Sequence, residues 1–252
     1  VEELNDKQNE AVTNLDGPCL VIAGAGSGKT KVLTYKIAHL ISERQVKPWN
    51  ILAITFTNKA ASEMKARVEN LVGDAINDMW IGTFHSICVR ILRQHIDKIG
   101  FGKTFIIFDV TDQRHVLKDC IKELNLDEKI YTEKSMQYEI SNAKNELLTP
   151  EEYTKKYKND FKKSKTAEVY ELYQRKLHGD NAIDFDDIIN YTIKILMQNP
   201  EVLDYYSNKF QYILVDEYQD TNKAQFMLIS LLAAKHGNIT AVGDNDQRNL
   251  FI

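Results

Sequence analysis

The 252 residues carry 32 Lys and Arg against 36 Asp and Glu, a formal net charge of −4. That balance excludes a basic sheath, so any nucleic-acid site has to be a local groove or a stacking surface. Apolar residues at 43% and charged residues at 27% make an ordinary soluble mixture, long enough for one large domain or two smaller ones. Cys19, Cys88 and Cys120 are far apart and form no CxxC pair. This argues against a zinc site or a disulfide framework and for reduced thiols in a cytoplasmic protein. No apolar run approaches a membrane span, and the first residues lack the charged-then-apolar order of a signal peptide, so no membrane partner is expected.

In chain order, Asn5 is placed to cap a helix running to about Leu15, with Gln8 three residues on as in a capping box. Gln8 has two readings: cap partner, or an amide whose donor and acceptor sides read an adenine edge. The apolar run Cys19-Leu20-Val21-Ile22 predicts a buried strand, and Lys31 to Ser42 has helical periodicity. Between them lies Ala23-Gly24-Ala25-Gly26-Ser27-Gly28-Lys29-Thr30. Strand, glycine-rich turn and helix form the context in which a phosphate-binding loop works. The glycines let backbone N–H groups turn inward around an anion, and the helix N-terminus adds its own attraction. Lys29 then reaches the β- and γ-phosphates of a nucleoside triphosphate, and Thr30 offers its hydroxyl to Mg²⁺. Ala23 stands where the pattern usually begins with Gly.

Ile51 to Phe56 is a continuous apolar run, as in a parallel strand covered on both faces. It ends in Thr57-Asn58-Lys59, and a helix is expected from Ala60 to about Leu71. Trp80 to Thr83 reads as a short strand and Phe84 to Ile96 as an amphipathic helix. This alternation predicts an α/β fold with a parallel sheet. Thr104 to Phe108 is a brief apolar segment, and Asp112 to Leu124 an amphipathic helix. Asp127 to Lys176, rich in Lys, Glu and Tyr, reads as a helical insertion. Its charge runs, Lys155-Lys156 and Lys162-Lys163-Ser164-Lys165, are expected to be solvated faces, with contact to duplex DNA as the other reading. Its tyrosines (Tyr131, Tyr138, Tyr153, Tyr157, Tyr170, Tyr173) are expected to pack a small core.

Asp184-Phe185-Asp186-Asp187 opens a helix ending near Gln198. Its acids suit a helix N-terminus, and metal binding is the other reading. Tyr212 to Val215 predicts a buried strand that runs straight into Asp216-Glu217. A helix follows from Asn222 to Ala234, then a strand from Ile239 to Gly243 leading to Asp244-Asn245-Asp246-Gln247. Ligands of doubly wound sheets sit at the carboxyl ends of the strands, so the glycine loop and the acidic pair can meet around one Mg²⁺–triphosphate. Asp216 is placed to hold Mg²⁺, usually through water. Glu217 is placed to orient and deprotonate the attacking water, and Gln247 to reach the γ-phosphate or that water.

Taken together, these segments resemble the N-terminal half of a superfamily 1 DNA helicase of the UvrD, PcrA and Rep type. The resemblance rests on Leu4-Asn5 with Gln8 and Ala11-Val12, on the loop Ala23 to Thr30, and on Thr55 to Ala61 with Glu63-Met64 and Arg67. It continues through Gly82-Thr83-Phe84-His85-Ser86, Asp184 to Asp187, Val215-Asp216-Glu217-Tyr218-Gln219-Asp220, and Val242-Gly243-Asp244 with Asp246-Gln247. It implies a RecA-like P-loop parallel sheet with helices on both faces and an inserted all-helical subdomain. The motor domain would span 1–103 and 183–252, and the insertion 104–182. It implies ATP and Mg²⁺ as cofactors, with Gln8, Ala23 to Thr30 and Lys31 around the nucleotide. It also implies Phe56, Thr57, Asn58, Thr83 and His85 along a single-strand channel. An aromatic at a strand end offers a stacking platform, and small polar groups hold phosphates without reading sequence.

The implied activity is ATP-driven translocation on single-stranded DNA, 3′ to 5′, with unwinding of forked DNA. The second motor domain, which carries the arginine fingers, is expected outside these residues. Two further readings share the same motifs: the motor portion of a RecB- or AddA-like helicase–nuclease, and a nucleotide-binding module without motor activity. The chain departs from the family pattern at Lys31, where Arg is common, and at Arg248-Asn249-Leu250-Phe251-Ile252, where Ser-Ile-Tyr and another aromatic usually follow. Lys31 keeps the charge but loses a planar stacking surface; at 248–252 either Phe251 takes over stacking on bases or these residues are not the natural continuation.

Overall fold

The computed structural model describes residues 4–24 and 26–244. Ala25, Gln247 and Phe251, named above, lie outside the described residues. The elements in chain order are α1 (Asp6–Thr13), β1 (Cys19–Ile22), α2 (Lys29–Ser42), β2 (Ile51–Thr55), α3 (Asn58–Val72), β3 (Trp80–Thr83) and α4 (Phe84–His95). Then come β4 (Ile106–Ile107), α5 (Val110–Glu123), α6 (Glu133–Asn145), α7 (Pro150–Lys156), α8 (Phe161–Gly179), β5 (Ala182–Ile183) and α9 (Phe185–Gln198). The described residues end with α10 (Pro200–Lys209), β6 (Tyr212–Val215), α11 (Lys223–Ala233) and β7 (Ile239–Gly243). Two compact units result: one of Val1–Ile87, Leu196–Thr221 and Gln225–Ile252, the other of Cys88–Ile195 and Asn222–Ala224.

The first unit holds a five-stranded sheet in the order β1-β7-β6-β2-β3, with every neighbouring pair parallel. Interior β2, between β6 and β3, is buried along its whole length, because helices cover both faces of such a sheet. On one face Leu33, Ile37 and Leu40 of α2 and Met64 and Val68 of α3 pack against Ile51, Ala53, Leu214 and Val242. β1 departs from the expectation of a buried strand. It has only β7 beside it, its first three residues are half-buried, and Ile22 is 43% exposed. Helix α10 has no counterpart in the sequence reading above. Pro200 begins it, and Tyr206 and Phe210 bring their rings to Trp80 at 6.2 and 5.0 Å, seating the helix against the start of β3.

Buried Lys36 fixes α1. Its ammonium donates to the carbonyls of Ala11 and Asn14, at the C-terminal end of α1, where orphan carbonyls and the helix dipole favour a cation. Burial lowers the Lys36 pKa.

The second unit is helical apart from one two-residue parallel pair, in which β4 joins β5. Tyr131, Tyr153, Tyr170 and Tyr173 lie in its core, with Tyr157 packed at the margin. Tyr138 is the exception at 67% exposed. Lys155 is solvated as expected, but Lys163 is half-buried and lies 4.0 Å from the centre of the Tyr157 ring.

The acids that open α9 are structural. Lys144, at the end of α6, is fully enclosed and reaches Asp184 at 2.6 Å and Asp187 at 2.8 Å. The two aspartates also cap the helix reciprocally through each other's backbone N–H. The Tyr173 hydroxyl donates to Asp184, and the Gln174 amide donates to Asp187. Burial opposes the charge on Lys144, but the two carboxylates prevail and hold its pKa well above the usual value. Burial likewise opposes ionisation of Asp184, yet the ammonium keeps it lowered, whereas burial and the Asp184 charge raise Asp187. Among the described residues no group of three or more His, Cys, Asp or Glu is arranged to hold a metal. The metal reading of this segment gives way to an ion cluster tying α6, α8 and α9. Lys144→Met strands two buried carboxylates, so urea unfolding is expected to show a loss of about 3–5 kcal/mol.

Candidate nucleotide site

All strand ends that carry candidate residues lie on one edge of the five-stranded sheet, because parallel strands share their direction. β1 leads into the glycine loop, β6 into Asp216-Glu217 and β7 into Asp244. These strands are neighbours in the order β1-β7-β6. β2 and β3, at the other end of the order, lead into Phe56-Thr57-Asn58 and into Phe84-His85.

The loop closes on α2 through Gly28, which has φ +80° as the residue preceding the helix. A Cβ there would also sit 2.9 Å from the Gln8 amide nitrogen. The positive φ is what requires glycine, and a side chain would in addition push the Gln8 amide aside. The Lys29 ammonium folds back over the loop, donating to the carbonyls of Ala23 at 2.7 Å and Gly24 at 3.2 Å and to the Asp244 carboxylate at 3.1 Å. The Thr30 hydroxyl donates to Asp216 at 3.0 Å. The other Asp216 oxygen accepts the Glu217 N–H, also at 3.0 Å. Asp216 is 3% exposed. Burial raises its pKa despite the Thr30 hydrogen bond. A hydroxyl and a buried carboxylate meeting at one corner are hard oxygen donors of the kind Mg²⁺ takes, and a cation there would offset the cost of burying the charge.

Glu217 stands in a left-handed conformation, φ +50°, directly after the strand. Its carboxylate accepts from the Gln219 side chain at 2.5 Å. Gln8 takes its place in the capping box and also reaches the glycine loop. Its oxygen accepts from the Asn5 N–H, completing the capping box, while its nitrogen donates to the Ser27 carbonyl at 2.9 Å. An amide has two N–H groups and two lone pairs, so one of each remains for a ligand. Lys31 lies 5.7 Å from the Tyr35 ring centre. These residues, with Gly28, Thr34, Arg67, Asn70 and Leu71, line a cleft of about 460 Å³ between α2 and α3, a size usual for small-ligand sites.

On the β2–β3 side, half-buried Phe56 meets Phe84 edge-on at 5.4 Å. Thr57 caps α3 through its hydroxyl, and Asn58 is exposed in the first turn. Thr83 is 8% exposed, and its hydroxyl oxygen accepts from the Ser86 N–H. His85 is half-buried.

Three residues at the site escaped the reading of roles from sequence. Gln219 lay inside a motif recognised as a block, with no role of its own. Asp244 likewise belongs to a motif, Val242-Gly243-Asp244, that gives it no role of its own. Tyr35 is an aromatic on a helix face, indistinguishable by spacing from a core residue.

A glycine loop at the end of the first strand, a buried acid at the end of a neighbouring strand and helices on both faces define a RecA-like P-loop α/β domain. Residues 4–248 match the UvrD/REP helicase N-terminal domain model, and the chain belongs to that family. It is 56% identical over 247 residues to the ATP-dependent DNA helicase PcrA of Staphylococcus epidermidis and 53% identical over the same length to PcrA of Staphylococcus aureus. These matches take in 98% of this chain and 34% of each relative, so the chain spans about a third of the length of the curated relatives it matches.

Gly28→Ala imposes a left-handed backbone on a side chain and pushes on Gln8. A loss of about 1–2 kcal/mol in urea unfolding is expected, together with weaker binding in an ATP-analogue titration.

Proposed function

We propose that this chain is the ATP-binding half of an ATP-dependent DNA helicase, working with a second motor domain to translocate on single-stranded DNA, 3′ to 5′, and to open forked duplex. The observation that carries this reading is the meeting of Thr30 with Asp216 and of Lys29 with Asp244 on one sheet edge, beside Glu217, in a chain of the UvrD/REP family. In this reading the motor domain spans 1–103 and 183–252, with the insertion at 104–182.

A triphosphate would draw Lys29 off the Ala23 and Gly24 carbonyls and off Asp244. The exchange trades one carboxylate for phosphate oxygens and leaves the ammonium paired throughout. Gln8 offers its spare donor and lone pair to adenine, and Lys31 and the cleft beside it flank the nucleoside. Thr30 and Asp216 would hold Mg²⁺, which screens phosphate charge when bound. Glu217 takes the proton of the attacking water. Gln247 is assigned to the γ-phosphate or that water from its motif alone. Phe56, Thr57, Asn58, Thr83 and His85 would face the strand, with the partly exposed Phe56 ring stacking on a base. Because β2 adjoins β6 in the sheet, motion of the strand-facing loops and hydrolysis at Glu217 have a short mechanical path between them.

ATP turnover by the full-length polypeptide, with and without a single-stranded oligonucleotide, tests the reading. DNA-stimulated turnover together with 3′-to-5′ unwinding supports it, and nucleotide binding with no stimulation by DNA would replace the motor with a module. Lys29→Ala is expected to weaken ATP-analogue binding about 10- to 100-fold, the equivalent of about 1.5–3 kcal/mol for a charged hydrogen bond. Unchanged affinity in titration would remove Lys29 from the phosphate site. Glu217→Gln is expected to bind nucleotide normally while kcat falls about 10²- to 10⁴-fold. Normal turnover in that variant would remove Glu217 as the base.

A further inference from the structure

We propose that Gln219 is the positioning residue of the hydrolytic site, holding the Glu217 carboxylate and anchoring it to the end of β7. The inference rests on the reading of Glu217 as general base. Gln219 is buried, 6% exposed, in the short turn after Glu217. Its amide nitrogen donates to Glu217 Oε2, and its oxygen accepts the backbone N–H of Asp244 at 3.0 Å.

The second bond dictates the first. A flipped amide would set N–H against the Asp244 N–H and oxygen against a carboxylate, so the Asp244 backbone fixes which side of the amide donates. Gly243 makes room for this arrangement. A Cβ at that position would lie 2.9 Å from the Gln219 amide oxygen, and the Gly243 backbone has no positive φ that would demand glycine for another reason. A glutamate at a strand end otherwise samples several rotamers, and a general base must lie within hydrogen-bond reach of its water. The same Asp244 whose N–H orients Gln219 pairs through its carboxylate with Lys29. One continuous set of bonds therefore runs from the phosphate-loop lysine through Asp244 and Gln219 to Glu217.

The test is steady-state ATP turnover by the full-length polypeptide, with ATP-analogue affinity and melting temperature measured alongside. Gln219→Ala is expected to lower kcat about 10- to 100-fold, as misplacement of a catalytic group does. KM, analogue affinity and melting temperature are expected to stay near wild type. Gly243→Ala presses on the same amide while Gln219 and Glu217 themselves stay in the sequence, and it is expected to lower kcat in the same way. The double variant is expected to be no worse than the weaker single, because both break one connection. A Gln219→Ala kcat within about twofold of wild type overturns the inference. So does a loss confined to melting temperature or affinity, or full additivity in the double variant. Glu217→Gln run in parallel separates the cases. Its loss of turnover beside an active Gln219→Ala leaves the base in place and removes only the positioning role, whereas an active Glu217→Gln removes the base itself.

Discussion

A parallel sheet places the carboxyl ends of all its strands along one edge, and the chemistry of this chain depends on that constraint. The two halves of the candidate site are more than 180 residues apart in sequence: Thr30 and Asp216 share a hydrogen bond across a separation of 186. Both β1 and β6 pair with β7, which leaves the loop and the acidic pair one strand apart on the same edge. The last strand among the described residues, β7, supplies Asp244 to the loop that follows β1. The order also separates tasks. Nucleotide-binding candidates cluster on β1, β7 and β6, and strand-facing candidates on β2 and β3, with the β6–β2 pairing as the seam between them.

A lysine proposed to bind phosphate poses its own problem, since a nearly buried ammonium needs partners even without a ligand. The Lys29 side chain is 9% exposed. Two loop carbonyls and the Asp244 carboxylate meet its three N–H groups. The loop therefore has a satisfied conformation of its own, and anion binding becomes an exchange of partners.

Much of this was legible in sequence because the signals are local. The strand–loop–helix context around Lys29 and the apolar run of β2 announce themselves over a few residues. The capping box at Asn5 and Gln8 is equally local, and so is the acidic pair closing β6. What escaped was set by long-range packing. Four apolar residues in β1 look the same whether one strand or two lie beside them, so its edge position was invisible. The β4–β5 pair is too short to carry an alternation, and α10 presents its aromatics to a tryptophan far away in sequence. Gln219 sat in plain view, but its role depends on a backbone N–H at Asp244 and on the missing Cβ of Gly243, neither of which sequence spacing reports.

Two acidic pairs in this chain show why motif and role come apart. Asp184 with Asp187 and Asp216 with Glu217 each follow a short buried strand, and sequence alone allowed a metal at either. The difference lies in the donors that reach them. A lysine enclosed in the same core satisfies the first pair, which then works as a cross-brace among three helices. A hydroxyl, a backbone N–H and a side-chain amide meet the second, all neutral donors. Neutral donors orient a carboxylate without cancelling its charge, so the second pair keeps the capacity to attract a cation or a proton. A lysine bonded directly to both acids makes the first pair a brace, whereas the second pair, hydrogen-bonded by neutral donors alone, is the candidate reaction centre.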